Sequence, residues 1–201
     1  MRLLEREEFR DRAWVSEEWQ AARLDVLEAL GRADEAQAFR LECFQRSLKA
    51  DHLRAYLKRL ADFDDVEAED KAVAYVMAYP SALLALQFLI HWPAPDRAAQ
   101  LVQKRFSEID GDHYEILTPA AEALSVRFPL AATLALRAMI DFTLNAGKSS
   151  RYGYASQHLA ACAELAGRIE DFAPFELHDV YIARIKAGHG KKTGFWARVD
   201  G

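Results

Sequence analysis

Apolar side chains return along this chain every three or four positions, and the runs are separated by glycine or proline. That recurrence puts one greasy stripe on each of a series of α-helices. Ser16 is placed to cap a helix reaching Leu30, with Trp19, Ala22, Val26, Leu27 and Leu30 on one face and Gly31 just beyond it. Ala36, Phe39, Cys43 and Phe44 mark a second stripe. Leu53, Tyr56, Leu57 and Leu60 mark a third, at i, i+3, i+4 and i+7.

Five of the six prolines, Pro80, Pro95, Pro119, Pro129 and Pro174, stand where a helix would begin. Proline suits a first turn because its missing N–H has no intrahelical partner there. Asp64 and Glu67 resemble a capping box ahead of Val66, Val73, Val76 and Met77, a helix ending before Pro80. Residues 81–92 are apolar nearly all round and should form the most enclosed helix. Ala98, Leu101, Val102, Phe106 and Ile109 form the next stripe, and Thr118 is placed to cap a helix opened by Pro119. Pro129 opens one with Leu130, Leu134, Ile140 and Leu144, ending near Gly147. Ser149 or Ser150 caps another with Leu159, Cys162, Ala163 and Ala166, before Gly167. Pro174 opens the last, with Leu177, Val180, Tyr181 and Ile185, before Gly188. Residues 189–201 remain as a basic, aromatic tail.

Taken in pairs, these helices begin near residues 17, 51, 81, 118 and 149. Intervals of that size belong to stacked helix-pair solenoids such as the tetratricopeptide repeat. The match is one of period, since the W-x₂-L-G-x₂-Y signature is absent. The expected fold is all-α, about ten helices stacked as antiparallel hairpins in one domain over 1–201, with 1–48 as the N-terminal hairpin. A compact helical bundle is the alternative.

Composition narrows the picture. Alanine and leucine supply 60 of the 201 residues, whereas valine, isoleucine and threonine together supply 20, too few for a substantial sheet. The formal net charge of −5 argues against a nucleic-acid binder. The two cysteines, Cys43 and Cys162, form no CxxC and read as reduced, buried hydrophobes. The apolar run 82–92 is far shorter than the roughly 20 residues of a membrane span, and the charged start is unlike a signal peptide. These features place the chain in the cytoplasm, without a membrane partner.

No catalytic template fits. Gly147-Lys148-Ser149 suggests a phosphate loop, but Phe142 stands where that motif needs its first glycine. The acids from Asp62 to Asp70 lack the glycine and glutamate of an EF-hand loop. Asp110, Asp112 and His113 read as a turn, with no second ligand group at metal-binding spacing. Neither a cofactor nor a metal is expected. One group does suggest binding: Lys148, Arg151, Tyr152, His158, Lys191, Lys192 and Trp196. Arg151 and Tyr152 start a helix, where backbone N–H groups attract anions. A tail folded back onto that start would make a basic-aromatic pocket for a carboxylate or phosphate. Otherwise Phe195 and Trp196 cap the core, with solvated lysines beside them.

Several stretches carry a resemblance. They are DHLRAYLKRLADFDDVEAEDKA (51–72), DGDHYEILTPAAEAL (110–124), LRAMIDFTL (136–144), SSRYGYASQHL (149–159) and GHGKKTGFW (188–196). They resemble a bacterial family of uncharacterised proteins known only as a domain of unknown function, over roughly 51–198. In that family such a region is similar to the C-terminal half of a longer chain, which implies a shortened member or a fragment. The resemblance implies an all-helical fold and no particular chemistry.

The functional expectation is a non-enzymatic helical-repeat protein presenting its inner helices to a protein or peptide partner. A small-anion binder or enzyme using Arg151, Tyr152, His158 and Lys192 is the alternative. Homodimerisation through Trp14 and Trp19 is a third expectation, because a truncated helix stack exposes an apolar end.

Overall fold

The computed structural model describes residues 16–61 and 63–199. Among the described residues it contains eleven α-helices, two short 3₁₀ turns and no strand. The chain divides into two compact units between Ala78 and Tyr79.

The first unit contains α1 (Glu17–Ala29), α2 (Ala33–Ser47), α3 (Ala50–Leu57) and α4 (Asp64–Met77). Each packs on the next in chain order. Ser16 caps α1 as expected, its hydroxyl accepting from the Trp19 amide at 3.4 Å, and Gly31 takes the left-handed conformation at φ +68°. The buried face of α1 differs from the expected stripe: Gln20 and Leu27 are buried, Trp19 and Leu24 partly so, while Ala22 and Leu30 face solvent. An aromatic contact accounts for this rotation. The Trp19 ring meets Phe39 of α2 edge-on at 5.9 Å, and the Arg23 guanidinium lies over both rings. Trp14, the other half of the expected dimer contact, lies outside the described residues. Ahead of α4 the capping box does not form. Phe63 holds the cap position at φ +77°, so Asp64, Asp65 and Glu67 all fall in the first turn, where the helix dipole favours them.

The second unit contains α5 (Ala82–His91), α6 (Pro95–Lys104), α7 (Tyr114–Ser125), α8 (Pro129–Asn145), α9 (Tyr152–Ala166), α10 (His178–His189) and α11 (Thr193–Val199). Pro95 and Pro129 open α6 and α8 as expected. The other prolines do not. Ser81, after Pro80, caps α5 by accepting from the Leu84 amide at 3.3 Å. Pro119 lies inside α7, which starts earlier at Tyr114. Pro174, with a cis peptide before it, belongs to a non-helical stretch ahead of α10. Thr118 is therefore no cap; its hydroxyl points to the Met139 sulfur at 3.6 Å.

The most enclosed helix is α8 rather than α5. Twelve of its 17 residues are buried, because Ala131, Ala132, Ala135 and Ala138 let neighbours approach on several sides. Helices α6, α7 and α9 all pack on it. In addition α5 packs on α6 and α7, and α6 on α7, so contacts run between neighbouring helices. Stacked hairpins and a compact bundle share that pattern. The expected tail instead forms α11, which docks on α9 with Phe195 fully buried.

Candidate functional site

Gly111 sets the geometry of one open face of the second unit. It is buried against α8 so closely that a Cβ there would stand 2.0 Å from the Ala138 carbonyl oxygen. Only glycine allows that approach. The Asp110 carboxylate accepts the Asp112 amide at 2.9 Å and closes the turn, so that α7 begins at Tyr114 beside α8. On another side of α8, Gly147 at φ +65° and the 3₁₀ turn Ser149–Arg151 reverse the chain into α9.

Between α7 and α9 the surface opens into a cleft of about 460 Å³. Met139 and Thr143 of α8 contribute its floor, Tyr114, Glu115, Thr118 and Pro119 one side, and Arg151, Tyr154, Ala155 and His158 the other. Tyr114 is 55% exposed and Tyr154 is 67% exposed, and both rings belong to the lining. Arg151 bridges the two sides: its Nη1 donates to the Asp112 carboxylate at 2.6 Å, and its guanidinium lies 5.0 Å from the Tyr114 ring centre. Burial pushes the His158 imidazole below its ordinary pKa, which favours the neutral ring at neutral pH. At the rim, the Glu115 carboxyl is held low by its own amide and then by His113, while the hydrogen bond that the His113 ring donates to that carboxylate raises His113. The cleft thus combines an apolar floor, two accessible phenols, a neutral imidazole and a cation already paired.

The seven residues singled out in the sequence fall into separate groups. Arg151 and His158 line the cleft. Tyr152 turns into the core and meets Phe195 edge-on at 5.9 Å, which fills the space where a pocket between tail and helix start was expected. Trp196 is half-buried, donates from Nε1 to the His189 carbonyl at 2.9 Å, and lies under the Lys186 ammonium. The Lys192 ammonium lies 4.0 Å from the Cβ position of Gly147, near the end of α8 where the dipole favours a cation. Lys148 and Lys191 are exposed, and the Lys148 amide closes α8 on the Thr143 carbonyl at 3.0 Å. Sequence reasoning missed Tyr114, Tyr154, Met139 and Thr143. Two signals were available: Tyr114 follows the D-G-D-H turn, and Tyr154 lies two positions past Tyr152, on another face of the same helix.

Both thiols are buried and free, and burial raises Cys43 to about 11 and Cys162 to about 12, which disfavours the thiolate form at neutral pH. Among the described residues no group of three or more metal-type side chains occurs, and no helix is long and apolar enough to cross a membrane.

The model of a family described as a family of unknown function (DUF6880) matches residues 1–198, so the match takes in the first fifty residues as well as the quoted stretches. No curated protein and no solved structure matches.

Proposed function

This chain belongs to the family of unknown function DUF6880, and from the cleft we propose that it is a protein-binding module whose α7–α9 face takes an apolar or aromatic side chain of a partner. The observation that carries this reading is the pair of accessible tyrosines, Tyr114 and Tyr154, over a floor containing Met139. Tyrosine and arginine are common anchors at protein interfaces. Methionine adapts its shape to what packs on it. The neighbour-to-neighbour packing of α5 to α8 suits a helical-repeat scaffold in the tetratricopeptide-like manner, which displays such surfaces. Two free thiols suit a reducing compartment such as the cytoplasm.

A small-anion site at Arg151 is the weaker reading. Asp112 already occupies that guanidinium, and the Glu115 carboxylate on the same cleft repels a second anion.

The reading is tested by affinity purification of the tagged protein from its own host, in parallel with a Tyr154→Ala variant. A partner retained by the first and lost by the second supports it. Equal recovery by both contradicts it.

A further inference from the structure

The first unit contains a hollow of about 290 Å³, lined by residues of α1, the start of α2 and the turn after α3. Two arginines line it together with one acid, Glu28 of α1. Arg40 of α2 is 3% exposed; its Nη1 donates to the Gln37 side-chain oxygen at 3.0 Å, and its Nη2 donates to Oε1 of Glu28. Gln37 in turn donates to the Tyr56 carbonyl at 3.1 Å, which ties Arg40 to α3. Arg59 follows α3. Its Nη2 lies 3.3 Å from the same Glu28 oxygen, while its Nη1 donates to the Ala55 carbonyl at 3.1 Å. Two guanidinium groups therefore converge on a single anionic oxygen.

The charges there do not balance. Among the described residues Glu28 is the acid paired with both arginines, so the lining keeps one positive charge in excess. The Arg59 side chain is 44% exposed, which leaves part of its fork open to solvent. Space is available as well. Gly31, Ala33 and Ala36 complete the lining with small residues, and nothing lies within 4 Å of the Cβ position at Gly31. The hollow is several times the roughly 30 Å³ that one water takes up in the liquid. Ala33 is also the first residue of α2, whose first turn has no side-chain cap and whose N–H groups and dipole favour an anion. Asp34 and Glu35 share that turn, but neither lines the hollow, and Glu35 is held by Arg32.

We propose that this hollow binds a phosphate group, with the Arg59 fork as its grip, Arg40 as a buried positive charge behind it, and the start of α2 as a further donor. Guanidinium groups match the oxygens of phosphate in parallel pairs of N–H bonds. A carboxylate is the poorer ligand, because Glu28 already supplies one to both arginines, whereas a tetrahedral group offers oxygens in more directions than a carboxylate plane. The site lies in the first unit and does not rest on the cleft reading above.

The test is titration of the full chain with inorganic phosphate, phosphoserine or acetate, against sodium chloride of equal ionic strength, read on the backbone amide resonances of Gly31 and Ala33. A saturable movement with phosphate or phosphoserine is expected. The better of those two ligands tells whether the group is taken as the free ion or on a carrier. Arg59→Lys, which keeps the charge and loses the fork, should weaken apparent affinity about tenfold, and Arg59→Ala should abolish the movement. Glu28→Gln removes the competing carboxylate and should tighten binding about threefold, a gain that a purely structural ion pair would not give. Arg59 is a half-exposed side chain, so its variants test the site in a folded protein. No saturable movement, the same movement in Arg59→Ala, an equal response to acetate, or weaker binding in Glu28→Gln would overturn the proposal.

Discussion

Asp112 and Arg151 lie 39 positions apart in the chain, yet their side chains meet at 2.6 Å and tie the start of α7 to the turn before α9. That pair holds one end of the cleft, and the Tyr114 ring packs beneath the same guanidinium. Both partners are about one-third to one-half exposed, so water screens much of their attraction. Asp112→Asn should therefore lower stability by only about 0.5–1 kcal/mol in urea unfolding. Its larger effect should fall on partner binding, because the released Arg151 no longer fixes the Tyr114 side of the cleft.

Gly111 and Gly153 separate a close approach from a tolerated glycine. Gly111→Ala drives a methyl group into the Ala138 carbonyl, and should destabilise by about 3 kcal/mol. Gly153 lies within α9 with nothing within 4 Å of its Cβ position. Gly153→Ala should stabilise by up to about 1 kcal/mol, the ordinary helix preference for alanine. Denaturant midpoints of the two variants read the contrast directly.

Helix content was legible wherever one stripe alternated with one polar face. The buried positions of α2 and the lead prolines of α6 and α8 fall where periodicity places them. The errors share a cause: local signals were read without the neighbour. Pro119 looks like a helix start until the Asp110–His113 turn begins α7 earlier, and that turn is fixed by contact with α8. The enclosure of α8 comes from small residues rather than from the greasiest run, which sequence hydropathy ranks the other way. In the candidate site, Arg151 and His158 were visible as a basic start and a helical histidine. Tyr114 and Met139 were not, because no sequence spacing joins three helices across one cleft.

The docking of α11 rests on Phe195, which is fully buried beside Tyr152. Phe195→Ala should cost about 3–5 kcal/mol, as for other large core truncations. Trp196→Ala should cost less, since that ring is only half-buried. Thermal or urea unfolding with both variants distinguishes a docked helix from a loose tail, for which the two costs would be small and alike.

Burial holds His158 below its ordinary pKa in the folded chain, so the unfolded chain binds the proton more readily. Its contribution to stability is complete above the unfolded value near 6.5 and is lost progressively as pH falls through the depressed folded value. His52, His178 and His189 shift the same way, all chiefly by burial, whereas His113 shifts upward and opposes them. Stability measured in urea between pH 7.5 and 5 should fall, and His158→Gln should make that fall shallower.

The cleft as a docking surface is tested most directly by placing a photoreactive phenylalanine analogue at Tyr154 in the host and irradiating the cells. The account predicts a discrete crosslinked partner from position 154 and none from Glu164, an exposed position on the same helix outside the cleft lining. The same adducts from both positions, or none from position 154, would contradict it.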